Sequence, residues 1–172
     1  LAFDNVRGQA RYDRDGFVAE GLQVRHDGAP GVLSLRAGPH VRDPGQAFEA
    51  ELQANVGIDV LLDKAGNLGW LKPWLDGRSP WTVAVAIPRG ASQAAAPAPL
   101  QLRSNLACTA SGLPEPVRKP AAEAMATTVD VSLPLERGEV AVVLGNLLSL
   151  RSRSSAQQTG VRVQLGGSAA EA

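Results

Sequence analysis

A strict alternation of apolar and polar residues constrains the fold of this chain more than any other feature. Apolar residues occupy every second position from Phe48 to Val56, which places them on one face of a β-strand. The segment Trp81–Ile87 repeats this period, and neither of its faces carries a charge. Turn sequences such as Asp13-Arg-Asp-Gly16 separate the alternating segments. In the segment Phe17–His26 the apolar positions change face at Gly21, which predicts a β-bulge there. We therefore expect a mainly β chain of about eight to ten strands, paired as consecutive antiparallel hairpins.

One segment departs from this period. Apolar residues lie at helical spacing from Ile58 to Ala65, and Gly66-Asn67 is a typical helix stop. Pro73 should limit the next apolar segment to a turn or two, and a turn at Asp76-Gly77 should end it. These features predict a short helical insert near 58–75 that lies against one end or one face of the sheet.

The composition argues against several functions. Lys and Arg total 17, as do Asp and Glu, so the chain lacks the basic excess typical of nucleic-acid-binding proteins. The single cysteine, Cys108, permits no intrachain disulfide and no cysteine-based zinc site. We expect it to be a partly buried structural thiol. Because the sequence starts at Leu1 and shows no signal-peptide pattern, we expect a processed product or a piece of a longer protein.

No pattern in the sequence predicts a metal site or an enzyme nucleophile. His26 and His40 lie on different segments, and the Asp13–Gly16 turn lacks the later ligands of a calcium loop. Neither a serine nucleophile elbow nor a phosphate-binding glycine loop is present. We therefore expect no cofactor and no bound metal.

Two carboxylate pairs could in principle serve a glycosidase, namely Asp13 with Asp15 and Glu49 with Glu51. Acidic residues also recur on exposed strand faces for solubility alone. We expect these pairs to lie on such faces, and we expect no catalytic residues and no enzymatic activity.

Three tryptophans, Trp70, Trp74 and Trp81, lie close together in the insert and the strand after it. Large aromatic side chains are mostly buried. We expect them to form a small core that fastens the insert to the sheet. The alternative is an apolar gate or a lipid-contacting rim.

Three passages follow one another in an order that is found in a known family. The chain opens with Phe3-Asp-Asn-Val-Arg-Gly8 and continues to Asp15-Gly16-Phe17. Residues 71–81 read Leu-Lys-Pro-Trp-Leu-Asp-Gly-Arg-Ser-Pro-Trp, and an apolar strand follows to Ile87-Pro88. Residues 104–120 begin Ser-Asn-Leu and end Gly-Leu-Pro-Glu-Pro-Val-Arg-Lys-Pro. From about Leu1 to Leu135, the chain resembles the YhdP family of AsmA-like envelope proteins of Gram-negative bacteria.

This resemblance implies a fold and a function. The fold would be a curved antiparallel sheet that forms a β-groove of the bridge-like lipid-transfer type. Residues 1–165 would be one β-rich domain within a larger protein, and residues 166–172 a tail. That protein would be periplasmic and anchored in the inner membrane through a segment not in this chain. Its partner would be phospholipid, carried between inner and outer membranes in support of the outer-membrane permeability barrier.

We expect the groove lining to include ten apolar positions: Trp81, Val83, Val85, Ile87, Leu100, Leu102, Leu106, Val129, Val131 and Leu133. The same residues could instead form the core of a closed β-sandwich. Two other functions stay open, a non-enzymatic structural or protein-interaction domain of the envelope and a carbohydrate-active β-sandwich.

Overall fold

The computed structural model describes Phe3 and residues 5–26, 28–64, 69–90, 98–133, 138–154 and 159–166. Within these residues, twelve strands form one sheet. The strands are β1 (Asn5–Arg7), β2 (Arg11–Tyr12), β3 (Phe17–His26), β4 (Ala29–Ala37), β5 (Gln46–Gly57), β6 (Leu75–Pro88), β7 (Ala98–Ser104), β8 (Thr109–Ser111), β9 (Thr127–Leu133), β10 (Glu139–Leu144), β11 (Leu148–Ser154) and β12 (Thr159–Leu165). The predicted mainly β fold is confirmed.

The sheet is open and entirely antiparallel. Its strands lie in the order β1-β3-β4-β5-β6-β7-β9-β10-β11-β12, with β2 beside β3 and β8 beside β6. Because this order follows the chain, the sheet is built from consecutive hairpins, as predicted. The described residues form no second sheet that faces the first, so the structure contradicts the closed-sandwich alternative.

The helical insert is also confirmed. Helix α1 spans Ile58–Lys64, and a 3-10 helix spans Gly69–Trp74; another short 3-10 helix spans Gly38–His40. Helix α1 lies against β5, β6 and the 3-10 helix that follows it, and its Leu62 is buried. The predicted helix stop at 66–67 lies outside the described residues.

Glycines set two features of the strands. The apolar run 140–150 forms the two strands β10 and β11, because Gly145 adopts a left-handed conformation with φ 51° and the chain reverses there. Strand β6 begins at Leu75, so the predicted turn at Asp76-Gly77 lies inside it. Gly77 has φ 124°, and a Cβ at that position would lie 2.1 Å from the carbonyl oxygen of Cys108. Glycine therefore permits β8 to pair closely with β6.

A β-bulge in β3 aligns the apolar residues at the start of the sheet. Ala19 pairs with Leu35, and Leu22 pairs with Leu33, so two residues of β3 oppose one residue of β4. Gly21 lies in this bulge at φ 67°, a conformation that glycine adopts at little cost. The extra residue moves Leu22 and Val24 onto the face that Ala19 occupies. The bulge predicted at Gly21 is thus confirmed.

The buried core is small and lies at the β3–β4 end of the sheet. Ala19, Leu22, Val24 and Leu33 form one buried cluster, and the partly buried Phe3, Leu35 and Leu52 pack against it. Beyond this cluster, the described part of the chain buries two more hydrophobic residues, Leu62 and Trp81. The rest of the sheet is therefore held together mainly by its ladder of backbone hydrogen bonds and by cross-strand pairs.

We expect Leu33→Ala to lower the free energy of unfolding by about 2–5 kcal/mol, because it leaves a cavity in this cluster. Urea denaturation measures the change. The control Val163→Ala removes a side chain that is 54% exposed, and its effect should stay within about 0.5 kcal/mol. Equal losses for the two variants would show that the cluster is not the core.

Candidate binding surface

Strand register collects apolar side chains from nine strands into one row. Residues that are paired across antiparallel strands project from the same face. We call the following set the central row, because it runs across the sheet from β3 to β12: Leu22, Leu33, Leu52, Val83, Leu102, Val129, Val142, Leu150 and Val163. Every position in this row is apolar.

Two further rows flank it on the same face. The second row consists of Ala19, Leu35, Ala50, Val85, Leu100, Val131, Val140, Ser152 and Val161. The third row consists of Val24, Gly31, Ala54, Trp81, Ser104, Thr127, Leu144, Leu148 and Leu165. These three rows contain no charged residue, and together they are the apolar face.

The apolar face becomes more exposed along the sheet. In the central row, Leu22 and Leu33 are buried, the residues from Leu52 to Leu150 are half-buried, and Val163 is 54% exposed. The nine strands extend this row over roughly 40 Å at about 4.8 Å per strand. One leaflet's share of a bilayer core is about 15 Å thick. The central row is therefore more than twice as long as the hydrocarbon layer of one leaflet is thick, which is the depth that one acyl chain spans.

Most of the predicted lining residues come together on this face. Val83, Leu102 and Val129 lie in the central row, Val85, Leu100 and Val131 in the second row, and Trp81 in the third. Ile87 lies two residues beyond Val85 on β6 and pairs with Phe48, so it is outside the three rows. The backbone of Leu133 pairs with Ala98 at the end of the β7–β9 ladder.

Leu106 lies outside the strand pairing that forms this face. The alternation of β7 predicted a strand position for it, but β7 ends at Ser104. The Ser104 hydroxyl accepts a hydrogen bond from the Leu106 N–H at 3.0 Å, and Leu106 turns away at φ 46°. This local side-chain bond competes with the strand ladder, so Leu106 is not the β7 strand position that the alternation predicted.

The sequence-based set omitted both ends of the face. Leu22, Leu33 and Leu52 lie at one end, and the residues of β10–β12 at the other. The same alternation was present in these segments. Alternation alone does not give the order of strand pairing, and it is this order that places the segments on one face.

A folded-back segment, residues 105–126, lies beside the third row. Its Thr109 hydroxyl bonds to the buried Ser79 hydroxyl at 2.5 Å, and Ser79 also donates to the carbonyl oxygen of Ala107 at 2.8 Å. The Cys108 N–H donates to the carbonyl of Ala121. These bonds tie the segment to β6 at the margin of the apolar face.

Lys119 is the buried charge of this segment. It is 3% exposed, and its Nζ donates to the carbonyl oxygens of Pro120, at 3.1 Å, and Glu123. Its backbone exchanges two hydrogen bonds with Ser111 on β8. Lys119, the lysine of the Lys-Pro motif, thus stabilises the folded-back segment, which is a structural role.

We expect Lys119→Met to destabilise the protein by about 1–3 kcal/mol, because it removes the donor of two hydrogen bonds that tie a buried side chain to the carbonyl oxygens of Pro120 and Glu123. Thermal and urea unfolding measure this loss. The neighbouring Arg118 is exposed, so Arg118→Met is the matched control and should change stability little. A neutral Lys119→Met would show that these carbonyls find other donors.

The tryptophans do not form the predicted small core. Trp81 is 7% exposed, but Trp70 and Trp74 are 65% and 50% exposed. The insert is held instead by buried Leu62, by the hydrogen bond from Gly112 N–H to the Trp74 carbonyl, and by a Lys72–Asp63 ion pair at 2.5 Å. The 3-10 helix is thus held without burying its two tryptophan side chains, and they remain exposed to solvent.

Cys108 also differs from its prediction. The thiol is exposed rather than partly buried. The residue has φ 67° in the turn between β7 and β8, so its side chain points out of the sheet ladder. The described residues contain no group of three or more metal-ligating side chains that could hold an ion.

The opposite face of the sheet is polar, and several of its charged side chains pair with one another. A depression of 260 Å³ on this face is lined by residues that include Arg36, Glu49, Glu51, Gln101 and Asp130. Both oxygens of Glu49 accept backbone N–H bonds of 2.9 Å, from Arg42 and Asp43. Burial alone raises the pKa of Glu49, but these bonds and nearby arginines outweigh it and lower the pKa.

These carboxylates are poorly suited to glycosidase chemistry. A general acid needs a raised pKa, whereas that of Glu49 is lowered. Glu51 bonds to Arg42 and Gln53. Asp13 accepts bonds from His40 and from the backbone of Asp15 and Gly16. The carboxylates of Asp13, Glu49 and Glu51 therefore stabilise turns and neighbouring strands of the fold.

Acid should destabilise the protein through the exposed carboxylates that gain partners on folding. The bond from Arg36 lowers the pKa of Glu20 below 4.5, and the bond from His40 lowers the pKa of Asp13 below 3.8. Since the folded-state pKa is depressed, the stabilisation is present above the unfolded pKa and is lost as pH falls through the folded value.

Urea unfolding from pH 7 to pH 3 measures how the stabilisation by these carboxylates depends on pH. Glu20→Gln should be less stable than wild type at pH 7, and the difference should shrink as pH falls below 4.5. Glu115→Gln, in an exposed turn, controls for the loss of one negative charge. A Glu20→Gln difference that grows with acid would contradict the assignment.

Fold and surface together define a class of protein: an open antiparallel β-sheet with one apolar and one polar face. The model of the YhdP protein family matches residues 1–172. The chain therefore belongs to the YhdP family, as its motifs predicted. No curated protein and no solved structure matches it. In the described part of the chain, no helix is long and apolar enough to cross a membrane.

Proposed function

We propose that the apolar face binds the acyl chains of phospholipids, and that this chain is a segment of a periplasmic protein that carries phospholipid between inner and outer membranes. Such transport would support the outer-membrane permeability barrier. The observation that carries the proposal is the central row, nine consecutive apolar positions without a polar or charged interruption. Membership of the YhdP family supports it.

The energetics favour a long and unselective site. Each methylene that leaves water contributes about 0.8 kcal/mol, so affinity would come from the length of covered chain rather than from one specific contact. The rows lie about 7 Å apart along each strand. An acyl chain could shift along the central row while exchanging one apolar neighbour for another. Low selectivity and sliding suit a conduit.

Several parts of this proposal concern the whole protein. The inner-membrane anchor would lie in a segment outside this chain. The segment itself would be non-enzymatic, because the carboxylates considered for catalysis are engaged in bonds within the fold. Its partner would be phospholipid, and nucleic acid would not bind to a chain of zero net charge.

A pair of adjacent substitutions on β6 tests lipid binding. Val83 lies in the central row, and Thr82 lies on the polar face between Gln53 and Arg103. We expect Val83→Asp in the full-length protein to reduce co-purifying phospholipid several-fold, because a carboxylate under an acyl chain would lose its hydration. Thr82→Asp should leave the bound lipid unchanged.

Mass spectrometry of lipid extracts measures both variants, and circular dichroism verifies that each is folded. Equal lipid content in the two folded variants would contradict the proposal. So would a complete absence of phospholipid from the wild-type protein when it is purified without detergent.

A structural or protein-interaction domain of the envelope is the second candidate. The exposed apolar residues of β12 favour it, since exposed apolar patches often mark protein contacts. In that case Val83→Asp would weaken the capture of a protein partner and leave lipid content unaffected.

A further inference from the structure

We propose that the polar face binds an extended acidic segment of a partner protein, in a depression of 630 Å³ that spans β3–β7. Three features of the depression carry this inference: an arginine without a counterion, a set of side-chain amides and an aliphatic patch. The depression lies on the face opposite the apolar rows, so the inference holds whether or not lipid occupies those rows.

The depression lies in the interior of the sheet. It is lined by Gln23 on β3, Val32 on β4, Gln53 on β5 and Arg103 on β7, and the strand register places these four residues in one row of the polar face. Described strands flank it on both sides, since β1 pairs with β3 and β9 pairs with β7. The depression is therefore independent of both edges of the sheet.

Arg103 gives the depression a positive charge that nothing in the lining neutralises. No aspartate or glutamate is among the described lining residues. Asp130 lies diagonally across from Arg103 on β9, but it accepts a hydrogen bond from Gln101 at 2.6 Å instead. Arg103 is exposed and forms no ion pair with any residue that the structure describes. A carboxylate of a ligand could therefore bind its guanidinium through two parallel hydrogen bonds.

Side-chain amides line the depression and favour a peptide as the ligand. They belong to Gln23, Gln53, Asn55 and Asn105. An amide both donates and accepts hydrogen bonds, as a peptide group does, whereas an ionised phosphate mainly accepts them. Gln53 uses one donor on a neighbouring carboxylate, and Asn105 uses its oxygen on a backbone N–H. Within the described ranges, the amides of Gln23 and Asn55 are without partners, so they can bond to a ligand.

An aliphatic patch lies beside the amides. It consists of Pro30, Val32 and Pro80, and Val32 is 39% exposed although it lies on the polar face. Covering this patch with an aliphatic side chain would remove apolar surface from water. The aromatic lining residue, Trp81, belongs to the third row of the apolar face, so its ring is not available on this face for stacking against a sugar. The patch therefore favours a peptide over a glycan.

The distance between the charge and the patch sets the spacing in the ligand. Val32 and Arg103 are three strands apart in one row, about 14 Å at about 4.8 Å per strand. An extended peptide rises about 3.3 Å per residue and presents alternate side chains to the same side. An acidic and an aliphatic residue four positions apart would therefore reach Arg103 and Val32 together.

Labelled peptides test this spacing on the full-length protein. The first peptide, with both ends blocked, contains Glu-Ser-Ser-Ser-Leu. A second has glutamine in place of glutamate, a third has lysine there, and a fourth moves the leucine one position closer, so that it projects to the other side. Fluorescence anisotropy should show that the first peptide binds about tenfold more tightly than each of the others.

Substitutions on the protein identify the groups responsible. Arg103→Glu should reverse the preference in favour of the lysine peptide, and Val32→Ser should remove the difference between the first and fourth peptides. Arg151→Glu, at an exposed arginine on the polar face of β11, is the matched control and should change neither preference. Circular dichroism verifies folding. If Arg103→Glu does not fold, Arg103→Gln should abolish the preference for glutamate over glutamine.

Four outcomes would overturn the inference. They are no binding of any peptide, equal binding of the glutamate and glutamine peptides, a preference for glutamate that Arg103→Glu retains, and displacement of the first peptide by oligogalacturonate at a lower concentration than by unlabelled peptide. The first is the result expected if a distant segment of the same protein fills the depression, and the last would assign it to an acidic glycan. None of these measurements depends on lipid content, so they are separate from a failure of the proposed function.

Discussion

The structure depends on strand register. A side-chain period of two means that a slip of one residue in any pair would move the apolar side chains of that strand to the polar face. In this sheet the pairing keeps every apolar row aligned from β3 to β12. Where the sequence changes parity, between Ala19 and Leu22, the bulge at Gly21 restores it. The two-sided character of the sheet is a consequence of this alignment.

The polar face supports the same register. Arg36 pairs with Glu20 across β4 and β3, and Gln101 bonds to Asp130 across β7 and β9. Cross-strand pairs of this kind add modestly to stability and disfavour slipped pairings. The apolar face, in contrast, gains little from packing beyond the β3–β4 cluster. A sheet stabilised by its ladder and its polar face can leave its apolar face open.

Much of this could be predicted from the sequence, because alternation is a local property. The strands around Phe48–Val56 and Trp81–Ile87, the helical insert and the bulge at Gly21 all followed from residue spacing. Features set by single contacts did not. Leu106 left the strand because of the Ser104 hydroxyl, and β6 gained its first residues because Gly77 permits contact with β8.

Exposure was the least predictable property. An alternating strand looks the same whether a second sheet covers it or solvent does, so spacing could not separate a sandwich core from an open surface. Trp70 and Trp74 illustrate the point, since their apolar character predicted burial and their backbone anchoring left them exposed. Coverage depends on how distant segments meet, and that information is not local.

Site-specific photo-crosslinking along β6 in the full-length protein within cells shows whether phospholipid lies on the apolar face. A photoreactive residue would be placed in turn at positions 81–86, and crosslinked phospholipid would be measured at each. We expect crosslinks at Trp81, Val83 and Val85 and none at Thr82, Ala84 and Ala86, which lie on the polar face. Crosslinks without this period of two, or none at any position, would contradict the proposed function.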